Sequence, residues 1–330
     1  MSRGIVVPVG LLAVAVRQAG LVSSEQCAAH GVARGARTRL VSARRWSQPT
    51  RGVFDTVVSP PHERHPDERR RRAAWLGMLA YGPSAIAVGA CALALHGVAG
   101  LPIVVQPEVT LADGSRLRSR DGIRLRQFAG VTTVVVDGRR IASVEAALIQ
   151  ALPALARTHA VAILDSALNK RLLDLEGMAR VKAGVRGRRG AARLEPWWRL
   201  VDGRSESPLE TDARLRCLDA GIAPDDLQVV IRDDGGRFVG RGDLGWRLRD
   251  GRWLLVEIDG REVHDTPQAL YSDRTRQNRL LLTGRVDLLR FIRADFPHHL
   301  VATIRQHLAL DAANSRRPGR DARFDARMRA

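Results

Sequence analysis

The sequence predicts a multidomain α+β protein: an N-terminal winged helix-turn-helix, a mixed α/β middle domain and a C-terminal α/β core. Three observations lead there. Between residues 34 and 51 lie six arginines and no acid, behind a helix-turn-helix pattern. Residues 109–136 alternate like strands around Asp-Gly pairs. The stretch 237–261, RFVGRGDLGWRLRDGRWLLVEIDGR, reads as a hairpin that leads into a helix and one more strand. At 330 residues and 45% hydrophobic content, the chain holds two or three domains with ordinary cores and is not disordered overall.

Charge narrows the partners. The net +18 points to a polyanion, nucleic acid before membrane, and no run approaches the ~20 apolar residues of a membrane span. Nearly all the positive charge is Arg, which suits bidentate phosphate and guanine contacts; the lysines are Lys170 and Lys182 alone. Cys27, Cys91 and Cys217 are few, odd in number and widely spaced. They support neither a disulfide framework nor a zinc site, and they fit a reducing cytoplasm.

In chain order, residues 1–60 form the first expected domain. Apolar Leu11–Val16 reads as a helix, although Arg3, the run Ile5–Val16 and Ala13-Val14-Ala15 also imitate a secretory leader. Ser23 or Ser24 caps a second helix stopped by Gly31, and a third runs from about Ala33 to Arg45. Trp46, read as core, precedes the extended piece Arg51–Phe54. Arg34, Arg37, Arg39, Arg44, Arg45 and Arg51 are the candidate DNA contacts; a solvated face against another protein is the alternative.

Residues 61–72, with Pro60-Pro61 and mixed charge, read as a linker leading into a helix. The middle domain, 73–200, opens with helices Ala73–Ala80 and Pro83–Gly97, the latter holding His96 as a satisfied core histidine. Strands follow at Val109–Leu111, Leu117–Leu125 and Val131–Val136, then a helix capped by Ser143 and another over Val161–Leu173. The basic run Arg180–Arg193 either lines a DNA path or is a solvated connector.

The last domain, 201–311, starts with a helix capped by Ser207-Pro208 and ending near Ala220. A strand over Gln228–Arg232, the hairpin, a helix over Pro267–Thr283 stopped by Gly284, and a strand over Val286–Ile292 complete it, ahead of a basic tail at 312–330. The three-residue loop Arg249-Asp250-Gly251 fixes the hairpin register. It pairs Leu248 with Arg252, Trp246 with Leu254, Leu244 with Val256 and Asp243 with Glu257. One face then carries Leu244, Trp246, Leu248, Leu254, Val256 and Ile258, and the other Asp243, Glu257 and Asp259. Three acids on one face repel unless a divalent cation with oxygen ligands relieves them. Otherwise, Asp259-Gly260 merely ends a strand and Asp243 merely begins one.

With GREVHD at 260–265 and DRTRQN at 273–278, the hairpin resembles the Vsr-like (very-short-patch-repair) branch of the PD-(D/E)xK endonucleases. The resemblance implies a restriction-endonuclease-like core, hydrolysis of phosphodiester bonds and Mg²⁺ (or Mn²⁺) held by Asp243 and Glu257. The superfamily's Lys falls on Asp259, and His264 is the implied substitute. Glu210 either closes its helix end as a capping-box residue or, by the resemblance, points to the metal, Glu206 being the alternative; Asp273, Arg276 and Gln277 steady the site or form a surface pair. The stretch GLVSSEQCAAHGVARGARTRLVSARRWSQPTRGVF resembles the N-terminal region of AbiEi-type antitoxins, and the middle domain is similar to theirs. That implies DNA, a cognate toxin protein or both as partners. Two functions follow, a cytoplasmic Mg²⁺-dependent DNA endonuclease, or a transcriptional regulator or antitoxin whose nuclease fold is inactive.

Overall fold

A computed structural model of the protein describes residues 5–112, 117–128, 130–260 and 267–314. It is a mixed α/β chain with three sheets among the described residues. The chain divides into two units, Met1–Ile163 with Lys170–Arg199, and Leu164–Asn169 with Leu200–Ala330. The N-terminal and middle segments therefore fall within one unit.

That first unit begins α1 (Val9–Arg17), β1 (Leu21–Ser23), α2 (Ser24–Ala29), α3 (Arg34–Ser42), β2 (Ser47–Thr50) and β3 (Val53–Asp55). The strands form an antiparallel sheet in the order β1-β3-β2. Ser23 Oγ accepts from the Gln26 amide while the Gln26 side chain accepts from the Ser23 amide, a complete capping box that starts α2. Leu11, Ala15, Val22, Cys27, Leu40, Trp46 and Phe54 make the core, so Trp46 packs inside. Helix α3 ends at Ser42, before the expected Arg45. Arg44 adopts a left-handed φ of 56°, and the amides of Arg45 and Trp46 both return to the Leu40 carbonyl, which closes the helix. Pro49 is tolerated within β2 because that strand lies at a sheet edge.

The run 61–72 differs from a plain linker. Helix α4 (Pro66–Tyr81) begins inside it, and Arg64 and Arg72 both donate to Asp55 Oδ2, at 3.2 and 2.5 Å. Asp55 and Arg64 are buried, and a buried charge of this kind persists only when paired. Beyond come β4 (Ala85–Ala87), α5 (Gly89–Leu95), β5 (Glu108–Leu111), β6 (Arg124–Arg126), β7 (Thr133–Val136), β8 (Arg139–Ala142), α6 (Val144–Ala151), α7 (Arg157–Asn169) and α8 (Leu175–Gly184). Their sheet runs β6-β5-β4-β8-β7. The helix expected over Pro83–Gly97 is interrupted because Ala85–Ala87 is a buried central strand; three small apolar residues carry no period to reveal it. Asp137 and Gly138 both take positive φ, 49° and 74°, as a hairpin turn of the primed type requires. His96 Nε2 lies 2.8 Å from the Ala142 carbonyl, so that histidine is satisfied.

The second unit contains α9 (Pro208–Asp219), β9 (Asp226–Arg232), β10 (Phe238–Arg247), β11 (Trp253–Asp259), α10 (Pro267–Leu282), β12 (Val286–Ile292) and α11 (Leu300–Asn314). The sheet order is β12-β11-β10-β9, with β11 and β12 parallel across the α10 connection. The hairpin has the register its loop dictates: Leu244 pairs with Val256, Trp246 with Leu254, and the Leu248 amide meets the Arg252 carbonyl. Gly251 is left-handed at φ 86°. Leu244, Trp246, Leu248, Leu254, Val256 and Ile258 share one core with Leu209 and Ala213 of α9 and Leu300 and Ile304 of α11. A second cluster joins Val229, Ile231, Leu255 and Val286 to Leu280 of α10. Buried Asp165, in the last turns of α7, accepts from the Asp202 amide, Thr211 Oγ1 and Arg214 Nη2, each within 2.8 Å.

Candidate active site

One step beyond the Leu244–Val256 pair, the hairpin register sets Asp243 opposite Glu257, and there a side chain replaces the ladder. Asp243 Oδ2 accepts the Ile258 amide at 2.7 Å. On the other side of β10, Asp243 falls between the pairs Gly242–Val229 and Leu244–Leu227, opposite Gln228. Gln228 holds a φ of 55°, a conformation a long side chain adopts only when its surroundings fix it. Its Nε2 donates to Glu210 Oε2 at 2.9 Å, while its Oε1 is buried without a hydrogen-bond partner.

Glu210 sits at the capped start of α9, but its carboxylate does not complete the capping box read for it. Ser207 Oγ accepts the Glu210 amide at 3.2 Å and caps α9, the first half of a capping box. The carboxylate does not close the box on Ser207. It accepts instead from the Glu206 amide at 2.9 Å and from Gln228, so it ties the helix start to β9. Glu206 turns to Arg241, 2.7 Å away.

Glu257, 6% exposed, is held by two guanidiniums. Arg276 of α10 approaches both its oxygens, and Arg290, its in-register neighbour on β12, lies 3.5 Å from Oε2. Asp259, in the place of the expected Lys, forms a two-pronged pair with the same Arg290 at 3.1 and 3.0 Å. Burial pushes the Asp243 carboxyl up to about 6, with the Ile258 amide opposing and the Glu210 charge adding to the rise. Burial also raises Glu210 and Glu257; for Glu257, Arg276 and Arg290 pull the other way and Asp243 adds to the rise. The described residues thus gather Glu206, Glu210, Asp243, Glu257 and Asp259 around Arg241, Arg276 and Arg290, with carboxylates in excess. Among them, no group of three or more His, Cys, Asp and Glu is drawn tightly enough to hold a metal ion as it stands.

His264 lies outside the described residues, as does the side chain of Asp273. Of the arginines read as DNA contacts, Arg34, Arg39, Arg44, Arg45 and Arg51 are exposed. Arg45 also donates to the Ile5 carbonyl. Arg37 is half-buried, donating to the Ser24 carbonyl and lying 5.5 Å over the Phe54 ring, so it holds the small domain together. Gln228, Arg241 and Arg290 escaped the sequence reading. No sequence signal marks Arg290, because a crossover helix leaves the register of the following parallel strand open.

A two-unit α/β chain with a partly buried carboxylate cluster at the edge of a hairpin is the class these features define. Over 229 residues it is 30% identical to the uncharacterized proteins MT2308 and Rv2248, from two strains of Mycobacterium tuberculosis, the match spanning 67% of this chain and 83% of each relative. The chain belongs to the family of these mycobacterial proteins. No family model matches it.

Proposed function

We propose that the protein is a DNA-binding, metal-dependent endonuclease, its N-terminal segment gripping the duplex and its hairpin carboxylates serving phosphodiester hydrolysis. The observation that carries this reading is the convergence of Asp243, Glu257 and Glu210, two of them buried: burial raises all three carboxyls, and the charge of Glu210 adds to the rise at Asp243 and that of Asp243 to the rise at Glu257. A protein that desolvates several like charges in one place gives up stability, and such sites are where function concentrates. The order α9, β9, β10, β11, α10, β12 with a parallel final pair agrees with a restriction-endonuclease-like core. The order α1, β1, α2, α3, β2, β3 with its sheet β1-β3-β2 agrees with a winged helix-turn-helix. On α3, Arg34, Thr38 and Arg39 are exposed, and Arg51 sits in the turn between β2 and β3.

The donor set suits Mg²⁺ or Mn²⁺, hard ions that take oxygen ligands. Asp243 and Glu257 would hold the ion and Glu210 would act from the helix start, with the unpartnered Gln228 Oε1 beside it. When bound, the ion supplies a Lewis acid and a more acidic water. The chain's own residues do the rest. The Ile258 amide and Gln228 fix the two flanking carboxylates, the Glu206 amide sets Glu210, and Arg276 and Arg290 neutralise Glu257 and can meet phosphate oxygens. Purified protein should nick supercoiled DNA with Mg²⁺ and not in EDTA, and Asp243→Ala should abolish it; identical behaviour of the two proteins defeats the reading.

A second reading, a DNA-binding regulator or antitoxin with an inactive nuclease fold, is favoured by the arginines that already satisfy Glu257 and Asp259. Specific retardation of DNA from its own operon, with no cleavage under any divalent ion, would select it.

A further inference from the structure

We propose that the first unit carries a binding pocket for a nucleotide unit, a base with its phosphate, centred on Phe128 and distinct from the carboxylate site. A cavity of about 310 Å³ opens between the segment after β6 and helix α6, lined by Gln127, Phe128, Thr132, Ile149, Gln150 and Arg188 among others. Ile149 and the Phe128 ring give it apolar walls; Gln127, Thr132 and Gln150 give it hydrogen-bonding groups. Gln150 is held in place because its carbonyl oxygen accepts the Gly89 amide at 2.9 Å, which leaves its NH₂ end as the donor. Two guanidiniums flank the ring, Arg126 at 5.0 Å and Arg188 at 6.0 Å from its centre. An aromatic face beside guanidiniums is what base stacking with phosphate neutralisation requires. The volume lies at the lower end for ligand pockets, the size of a nucleoside rather than a large cofactor.

The surface around the pocket is built for an anion. Residues 177–194 contain no acid; Arg180 and Lys182 pair with Glu145 and Glu195, and Arg186, Arg188, Arg189 and Arg193 follow them. Arg186, Arg188, Arg189 and Arg193 are exposed. This run is not slack. A side chain on Gly184 would strike Ile149, and one on Gly190, which is left-handed at φ 90°, would strike the Pro153 carbonyl. Arg193 donates to that same carbonyl at 2.7 Å and lies 5.7 Å from the Trp197 ring, and Lys182 lies 6.0 Å from Trp198. A basic loop pinned beside three aromatic rings offers phosphate contacts next to stacking faces.

The test is calorimetric titration of the full chain in EDTA, which silences any metal chemistry at Asp243 and Glu257. The probes are adenosine monophosphate, a short single-stranded oligodeoxyadenylate, and ribose 5-phosphate as the ligand without a base. The base-bearing probes should bind at least about tenfold more tightly than ribose 5-phosphate, and Phe128→Ala should cost them about tenfold. Phe128→Trp should keep the affinity, and Arg188→Ala should weaken all three probes. A strand that binds more tightly than the mononucleotide and loses that advantage in Phe128→Ala identifies nucleic acid as the source of the unit; an advantage that survives Phe128→Ala belongs to the N-terminal segment and identifies a free nucleotide for the pocket. The proposal falls if folded Phe128→Ala and Gln127→Ala proteins bind both base-bearing probes as the wild type does. Asp243→Ala should leave every titration unchanged, so the pocket and the endonuclease reading fail independently.

Discussion

Arg276 and Glu257 face one another between α10 and β11, Nη1 3.0 Å from Oε1 and Nη2 3.1 Å from Oε2. The fork supplies the counter-charge that a buried carboxylate needs, and a cation arriving at Glu257 competes with it. Arg276→Ala should therefore melt below the wild type in EDTA and gain more from added Mg²⁺, the two melting curves converging as the ion is raised. Thermal melts across a Mg²⁺ titration read this directly. Equal gains in both proteins would mean that no ion reaches Glu257.

Asp243 gives a pH signature. Its folded carboxyl titrates at about 6, above the ~3.9 of an unfolded chain. The fold gains from the retained proton only at low pH; that gain is complete below the unfolded value and lost as pH rises through about 6. At neutral pH and above, the wild type carries a desolvated charge. Asp243→Asn keeps an oxygen for the Ile258 amide and drops the charge. It should melt a few degrees above the wild type at about pH 8, the difference fading towards about pH 4. A variant that melts below the wild type at both ends would refute the account.

Leu280 anchors α10. It is fully buried, and a Cβ on Gly240 would come within 2.8 Å of its side chain, so helix and strand touch without a spacer. Leu280→Ala should cost ~2–5 kcal/mol through lost packing and a cavity, and Gly240→Ala ~1–3 kcal/mol through overcrowding. Urea unfolding of the full chain, followed by hydrogen exchange of the β10 and β11 amides, measures both.

The arginines of the first unit should separate by role. Arg34→Ala and Arg39→Ala should weaken binding to all duplexes and each reduce the salt slope by about 1, with no change in melting temperature. Arg37→Ala should lower the melting temperature, since its guanidinium bonds Ser24 and covers Phe54. Gel shifts at two salt concentrations beside thermal melts discriminate the two outcomes.

What could be read from the residues was what local chemistry decides. Ser23 and Ser207 start helices because their hydroxyls take orphan amides, Asp137-Gly138 turns a hairpin because both residues accept positive φ, and Arg249-Asp250-Gly251 fixes a register by its length. Asp243 and Glu257 could be paired from that register alone. Arg290 could not, because its approach to Glu257 and Asp259 follows from how β12 docks after a helix. Nor could Gln228, whose left-handed backbone has no mark in its side chain, nor the strand Ala85–Ala87, whose small residues suit a buried helix equally well.

Strand β11 is paired on both edges, antiparallel to β10 and parallel to β12. The ladder to β10 ends at Val256, so Glu257 and Asp259 beyond it keep β12 as their strand partner, with the Asp243 carboxylate taking the Ile258 amide in place of β10. The amides of Leu254, Leu255 and Val256, which lie between two ladders, should exchange with deuterated solvent only when the second unit opens as a whole. Any ligand that rigidifies this site would then slow the turnover of the entire unit by proteases, not merely shield a local loop.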